Sequence, residues 1–343
     1  MKNKIAIASA FLAASSLSFA EVSLTENISV GGFVDMSYSH TDDDFGGKES
    51  TNSYTLDQVE VSWYFDFNPV TAQIDIDYEG GDMLVDQGFV TYDLGGGSAI
   101  TAGRYDSMLG FEAFEPTGMY QYSTAYRSNT ETLTAEDLSV SDIISPETNE
   151  GVKYTHESGS NFFGISLQDG GFFGDDRLGG DIDVGQDAVD ITSGYAVEAA
   201  YATDLGNGFN LFVGGLWETA DAADGDVDST VYNAYFTYET GAWLFAAEYI
   251  MTEHDLGAAE IDIDSFLLMA NYSYSDQASI TGRVSGVDVD DVGDATKLTI
   301  AHLYAFTDNL ALCTELSTVD YDYDDNGANG DTLEAGIELL FTF

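Results

Sequence analysis

Basic residues are scarce in this chain: nine lysines and arginines stand against 61 acidic residues, a formal net charge of -52 over 343 residues. A surface that acidic repels phosphate, so nucleic acid is excluded as a partner. It fits a solvated, salt-adapted exterior. Cysteine occurs once, at Cys313, which rules out a framework of intrachain disulfides. The four histidines (His40, His156, His254, His302) have no metal-ligand spacing, and no metal or cofactor is expected. The three prolines, Pro69, Pro116 and Pro146, fall in stretches that read as turns or loops. A sheet protein needs that distribution, because proline cannot donate to a strand ladder. Long apolar runs are also missing beyond the first twenty residues, so no helix is expected to cross a bilayer. Should the chain enter a membrane, its backbone polar groups must be satisfied by a closed sheet.

The first twenty residues read as a signal peptide. Lys2 and Lys4 precede an apolar run from Ile5 to Phe19, and small residues at Ser18 and Ala20 mark a cleavage point. Residues 21–343 are then expected outside the cytoplasm, as one unit. Period-two alternation recurs along that unit, and in a strand successive side chains point to opposite faces. Strands are expected near 28–38, 55–65, 71–78, 84–92, 99–105, 151–158, 162–169 and 194–203. Eight more are expected near 209–218, 230–240, 243–254, 262–274, 278–288, 296–306, 309–320 and 332–343. The count is about sixteen. Every second connection is tight, as at Asn68-Pro69, Gly159-Ser160 and Gly241-Ala242, and most of the others are long, acidic and glycine-rich. Short turns on one rim and long loops on the other is the pattern of an up-and-down transmembrane barrel.

One face of each segment is apolar, as in Trp243, Phe245, Ala247, Tyr249 and Met251, and suits lipid. Aromatics near strand ends, among them Trp63, Trp217 and Trp243, suit interfacial girdles. The opposite face carries Glu60, Asp75, Asp77, Glu198, Glu248, Glu315, Glu334 and Glu338. Burying such acids without partners costs on the order of several kcal/mol each, so a water-filled lumen is expected.

The longest connection, 106–149, contains Leu109, Phe111, Phe114, Met119, Tyr120 and Tyr122, too many large apolar groups to stand in solvent. The closing segment, with Ile337, Leu339, Phe341 and Phe343 on one side, resembles the terminal strand of bacterial outer-membrane barrels. Gly103-Arg104-Tyr105-Asp106 running into the long connection resembles the OmpL-like β-barrel porin family. The resemblance implies an antiparallel barrel in the Gram-negative outer membrane and a loop after strand five folded inward as a constriction. It implies a homotrimer in lipid, with strands three to five as its short wall. It also implies that the terminal residues Ile337, Leu339, Phe341 and Phe343 are an assembly signal read by the barrel-assembly machinery. Candidate constriction residues are Arg104, Asp106, Glu112, Glu115, Arg127 and Lys153. Alternation counted from the strand ends points both Arg104 and Lys153 inward, toward loop acids that include Glu131, Glu136 and Asp137. Arg283 also faces in, while Arg177, Lys297 and Lys48 read as loop or rim charges. The cations and loop acids form either a transverse field across an eyelet or salt bridges that pin the loop.

The function expected is passive diffusion of ions and small hydrophilic solutes, with a weak cation preference because lumen acids outnumber cations. A sugar-type channel with Tyr120 and Tyr122 as stacking platforms, and a non-conducting structural or adhesive barrel, are the alternatives. No enzyme is expected: His156 and His302 fall on the outer face with no visible catalytic partner. The acidic run from Asp320 to Gly327 misses a calcium-loop pattern, because its twelfth position falls on Leu333.

Overall fold

A computed structural model of the chain describes residues 21–44, 49–79, 82–126, 134–135, 138–139, 143–172, 183–184, 187–188, 191–222, 225–257, 260–323 and 329–343. The proposed signal peptide lies outside the described residues, as do Lys48, Arg127, Glu131, Glu136, Asp137 and Arg177.

Sixteen long strands form one closed sheet. They are β1 (Ile28–Asp43), β2 (Glu49–Phe67), β3 (Val70–Glu79), β4 (Asp82–Gly95), β5 (Ser98–Asp106), β6 (Thr148–Ser158), β7 (Asn161–Gln168) and β8 (Ile191–Gly206). Then come β9 (Phe209–Ala222), β10 (Gly225–Thr240), β11 (Trp243–Asp255), β12 (Glu260–Ser275), β13 (Ala278–Val289), β14 (Gly293–Thr307), β15 (Leu310–Tyr323) and β16 (Gly330–Thr342). Each pairs antiparallel with the next, and β16 returns to β1 over Phe33↔Thr342 to Asp43↔Thr332. Reciprocal hydrogen bonds between Gly32 and Phe343, at 2.9 and 3.0 Å, finish the seam. The short segment Val22–Ser23 also pairs with β1. A closed antiparallel sheet leaves no edge, which is the condition for crossing lipid with strands.

All sixteen expected segments fall within one residue of these strands. The strands run further on the long-loop side, β1 to Asp43 and β2 from Glu49. Alternation of apolar residues ends where a strand leaves the lipid band, whereas backbone pairing continues into water. At the tight rim, Asn207-Gly208 adopts φ of 57° and 85°, the pair of positive values a two-residue hairpin turn requires.

The outer face is exposed and apolar in its middle, with Leu268, Ile280 and Ile300 among its residues. Aromatic girdles flank it. Trp243 packs on Tyr272 at 4.5 Å and Phe209 on Tyr238 at 4.1 Å near the tight turns, and Tyr195 meets Trp217 at 5.5 Å toward the other rim.

The core sits inside the barrel. Phe212, Leu216, Val231, Leu267 and Met269 point inward, and Leu109, Phe111 and Tyr120 of the long connection join them in one buried cluster. The lumen is therefore lined by apolar as well as polar side chains. Apolar residues on the inward parity of β9 to β12 exist to receive the loop.

Candidate functional site

The segment after β5 crosses the barrel interior and is fastened to the wall by acids. Glu198 of β8 accepts from Ser107 Oγ at 2.6 Å and from the Met108 amide at 2.7 Å. Glu248 of β11 accepts from the Phe111 amide at 2.7 Å and from Asn233 Nδ2 at 2.8 Å. Asn233 Oδ1 in turn accepts from the Gly110 amide at 3.0 Å. Glu315 of β15 accepts from the amides of Tyr122 and Ser123 at 2.9 and 3.0 Å, and from the Ser123 hydroxyl. On β9, Glu218 does the same for a second loop, accepting from the amides of Gly171 and Phe172 at 2.7 and 2.8 Å. Hydrogen bonds to an ionised acceptor are among the stronger ones in a protein, about 1.5–3 kcal/mol each. The expectation that Glu198, Glu248 and Glu315 face open water is corrected. They are buried because loop amides replace their hydration.

Cations complete the clamp. Arg283 of β13 is 1% exposed. It donates to Glu112 Oε1 at 2.5 Å, to the carbonyls of Ser123 and Thr124 at 2.8 and 2.9 Å, and to Thr299 Oγ1 at 3.3 Å. Glu112 also accepts from Gln121 Nε2 and the Ala125 amide, both at 2.6 Å. Lys297, expected at the rim, is buried instead. Its Nζ donates to Ser123 Oγ at 2.6 Å and lies 3.4 Å from Glu334 Oε2, which Ser317 Oγ also reaches at 3.0 Å. Counting alternate positions from Thr299 puts Lys297 inside, a signal the sequence carried.

Tyr122 seals the loop against β16 and β1. Its hydroxyl bonds with Ser37 Oγ at 2.9 Å, and its ring lies over Gly336, where a Cβ would come within 2.6 Å of it. Burial pushes the Tyr122 hydroxyl up to about 12, so it stays protonated. Tyr120 is buried and stacked on Phe111 at 6.4 Å. Both tyrosines are occupied by packing, which removes them as sugar platforms.

Arg104 and Lys153 do not meet. Across β5 and β6, Arg104 pairs with Glu150 and Lys153 with Thr101, three rungs apart. An odd separation places them on opposite faces. Arg104 shares the outward parity of Ile100 and Ala102, and its Nε donates to the Asp86 carbonyl at 2.9 Å. The inward expectation for Arg104 is corrected. Lys153 does face in, 4.2 Å over the Tyr105 ring, and donates to the Asp106 carbonyl at 3.3 Å.

The remaining acids gather on the other wall. Glu60 of β2 pairs with Asp77 of β3, and Ser62 with Asp75. Gln58 Nε2 donates to Asp77 Oδ2 and Glu115 Oε2, each at 3.0 Å. Burial, and then the charges of Glu60, Asp86, Asp106 and Asp77, push the Glu115 carboxyl well above the usual carboxylate range. Glu338 of β16 lies against Asp35 of β1. Ile337 and Phe341 face outward on β16, with Leu339 half-buried between them and Phe343 6.1 Å from Phe341.

Covering is uneven around the barrel. Inward side chains on β8 to β15 are almost all buried, whereas Gln73, Gln87, Thr91 and Lys153 on β3 to β6 are half-buried. On the outer face His156 Nδ1 bonds with Ser98 Oγ at 2.8 Å and Tyr154 with the same serine at 3.1 Å. His302 Nε2 bonds with the Tyr274 hydroxyl at 2.7 Å.

A family model described as Gram-negative porin matches residues 5–327. No curated protein sequence matches the chain. Solved structures do. The outer membrane channel DcaP of Acinetobacter baumannii superposes with a TM-score of 0.69 at 13% identity, over 92% of this chain and 97% of that one. An anion-selective porin from Comamonas acidovorans gives 0.65 at 13% identity, over 92% and 99%. The outer membrane protein OmpT of Vibrio cholerae, in a trimer form, gives 0.62 at 14% identity, over 93% and 100%.

Proposed function

The chain belongs to the Gram-negative porin family, an outer-membrane β-barrel channel, and on that premise we propose that it passes ions and small hydrophilic solutes by passive diffusion with a weak preference for cations. The observation that carries this reading is the uneven cover of the lumen. Most of the loop's hydrogen bonds go to β8–β16, and Gln73, Gln87, Thr91 and Lys153 on β3–β6 stay half-buried. That side of the lumen carries the half-buried Asp86 over the buried acids Glu60, Asp75 and Asp77, with Glu115 of the loop against them. Fixed charge acts on a permeating ion only within about 8 Å at physiological salt, so these acids weigh more than the larger number on the rim. The Comamonas relative is described as anion-selective; the acidic wall here argues for the opposite sign. Sieving follows from the clamped loop, which cannot swing away without breaking its buried hydrogen bonds.

The assembled form proposed is a homotrimer. The Vibrio relative is recorded as a trimer. Of the expected short wall, β3 and β5 are short, at 10 and 9 residues, and β4 at 14 is not, while β6 and β7 extend it at 11 and 8. Their outer face carries exposed Ile74, Ile100 and Val152 for a neighbour to cover.

Planar-bilayer recording tests the reading. Ohmic steps with a cation-favouring reversal potential under a salt gradient are expected. An anion-favouring potential would overturn the selectivity. Silence from verified folded protein would turn the assignment to a non-conducting barrel, and block of the current by added sugar to a substrate-specific one.

A further inference from the structure

An irregularity between β3 and β4 aims an extra acid into the lumen. Ile74 pairs with Gly88 and Ile76 with Val85, so Asp75 opposes two residues, Asp86 and Gln87. A bulge of this kind adds a residue to one strand and redirects its side chains. Oxygens of Asp86, of Glu60 on β2 and of Glu115 in the loop all lie within 4.8 Å of one another. Oxygens on opposite sides of a calcium ion, each at about 2.4 Å, have that separation.

Three clustered acids do not by themselves make a site, and the independent observation is Asp75. It is 1% exposed. One of its oxygens accepts from Gln73 Nε2 at 2.8 Å, and the other has no hydrogen-bond partner among the described residues. It stands across the ladder from Ser62, whose hydroxyl donates to Glu60 at 2.6 Å, so it looks into the same space. Its charge acts on that of Asp86. A buried carboxylate oxygen without a donor is costly, and a hard cation supplies what it lacks.

We infer that Glu60, Asp86 and Glu115, with the buried Asp75 beside them, form a site for a hard divalent cation, calcium by fit, which ties the loop to the β2–β4 wall opposite the arginine clamp. Flexible, mostly carboxylate oxygen donors suit calcium better than magnesium, which demands near-ideal octahedral geometry and keeps its water. Its effect on conduction rests on the channel reading; the binding itself does not. An occupied site would reduce the negative charge of the wall and hold the passage at one width.

The test is calorimetric titration of the mature protein, folded in detergent at 0.15 M sodium chloride, with calcium chloride. Wild type is expected to show one saturable site with a dissociation constant on the order of 10⁻⁴ M or tighter. Glu60→Gln/Asp86→Asn is expected to lose at least about tenfold in affinity. Glu253→Gln/Asp262→Asn, in an exposed acidic group elsewhere, is expected to change nothing. Heat-modifiable gel mobility checks that each variant is folded. Glu115→Gln, a change outside the sheet, gives the same readout should the double variant not fold. A site that survives these changes, an equal loss in the exposed-group variant, or no saturable site would each overturn the inference. A silent bilayer with an intact calcium site would remove the channel reading and leave this one standing.

Discussion

Replacing Arg283 with alanine is expected to release the loop while leaving the barrel closed. The guanidinium makes one ion pair with Glu112 and donates to two loop carbonyls, all in a buried environment. Removing it leaves Glu112 with Gln121 and the Ala125 amide, and leaves the carbonyls of Ser123 and Thr124 without this donor. Breaking a buried pair from one side costs about 3–5 kcal/mol, which at 1.4 kcal/mol per tenfold is a factor of roughly 10²–10³ or more in the docked-to-released ratio. The sheet ladder holds none of its own bonds through Arg283, so the loss falls on docking. Hydrogen exchange reads it directly. The amides of Phe111, Tyr122 and Ser123 are capped by Glu248 and Glu315, and their protection is expected to fall by about a hundredfold or more while ladder amides stay protected. Single-channel conductance is expected to rise and become noisier. Protection changed by less than about threefold, with unchanged conductance, would refute the clamp. A Glu112→Ala partner variant then isolates the pair: coupling is expected, because the two residues share one bond network.

Loop docking depends on pH through Glu115. Its carboxyl is raised in the docked state by burial and then by the acids around it, so docking binds a proton. That contribution is full below the ordinary carboxylate pKa and is lost as pH rises through the docked value. In chelator, exchange protection factors of the loop are expected to decline over that interval, and Glu115→Gln to flatten the decline; protection that grew with pH would contradict the sign. Gly336→Val places a Cβ against the Tyr122 ring, at a cost of about 1–3 kcal/mol. The cost is read as a lower temperature of heat modification, and is expected to vanish in a Tyr122→Ala background; equal effects in both backgrounds would remove the contact as the cause. Phe343→Ala cuts the ring just past the end of β16, beside the Gly32 seam bonds. It is expected to lower the folded yield in the outer membrane several-fold, measured as heat-modifiable protein in isolated outer membranes, and an unchanged yield would refute an assembly role.

Much of this molecule was legible in its order of residues. Alternation with a period of two locates all sixteen strands, because a strand wall between lipid and lumen must place every other side chain on the same side. Loop parity gives the two rims, the aromatic content of 106–149 forecasts that this segment packs against something, and the resemblance to porins implies that it folds inward. Tertiary structure decided what the inward acids do. Glu198, Glu248 and Glu315 look alike in the sequence to Glu60 and Asp75, yet the first three cap loop amides and the others join an acidic group beside the bulge between β3 and β4. Such roles depend on which backbone groups approach from 90 to 193 residues away, and no local pattern encodes that distance. Register decided the cations. Arg104 lies outside and Lys297 inside because cross-strand pairing, and not proximity to a strand end, fixes which face a residue occupies. Residue order alone specified a membrane barrel with one long segment that must pack; the closed sheet specified which charges hold that segment in place, because it set which groups meet across the lumen.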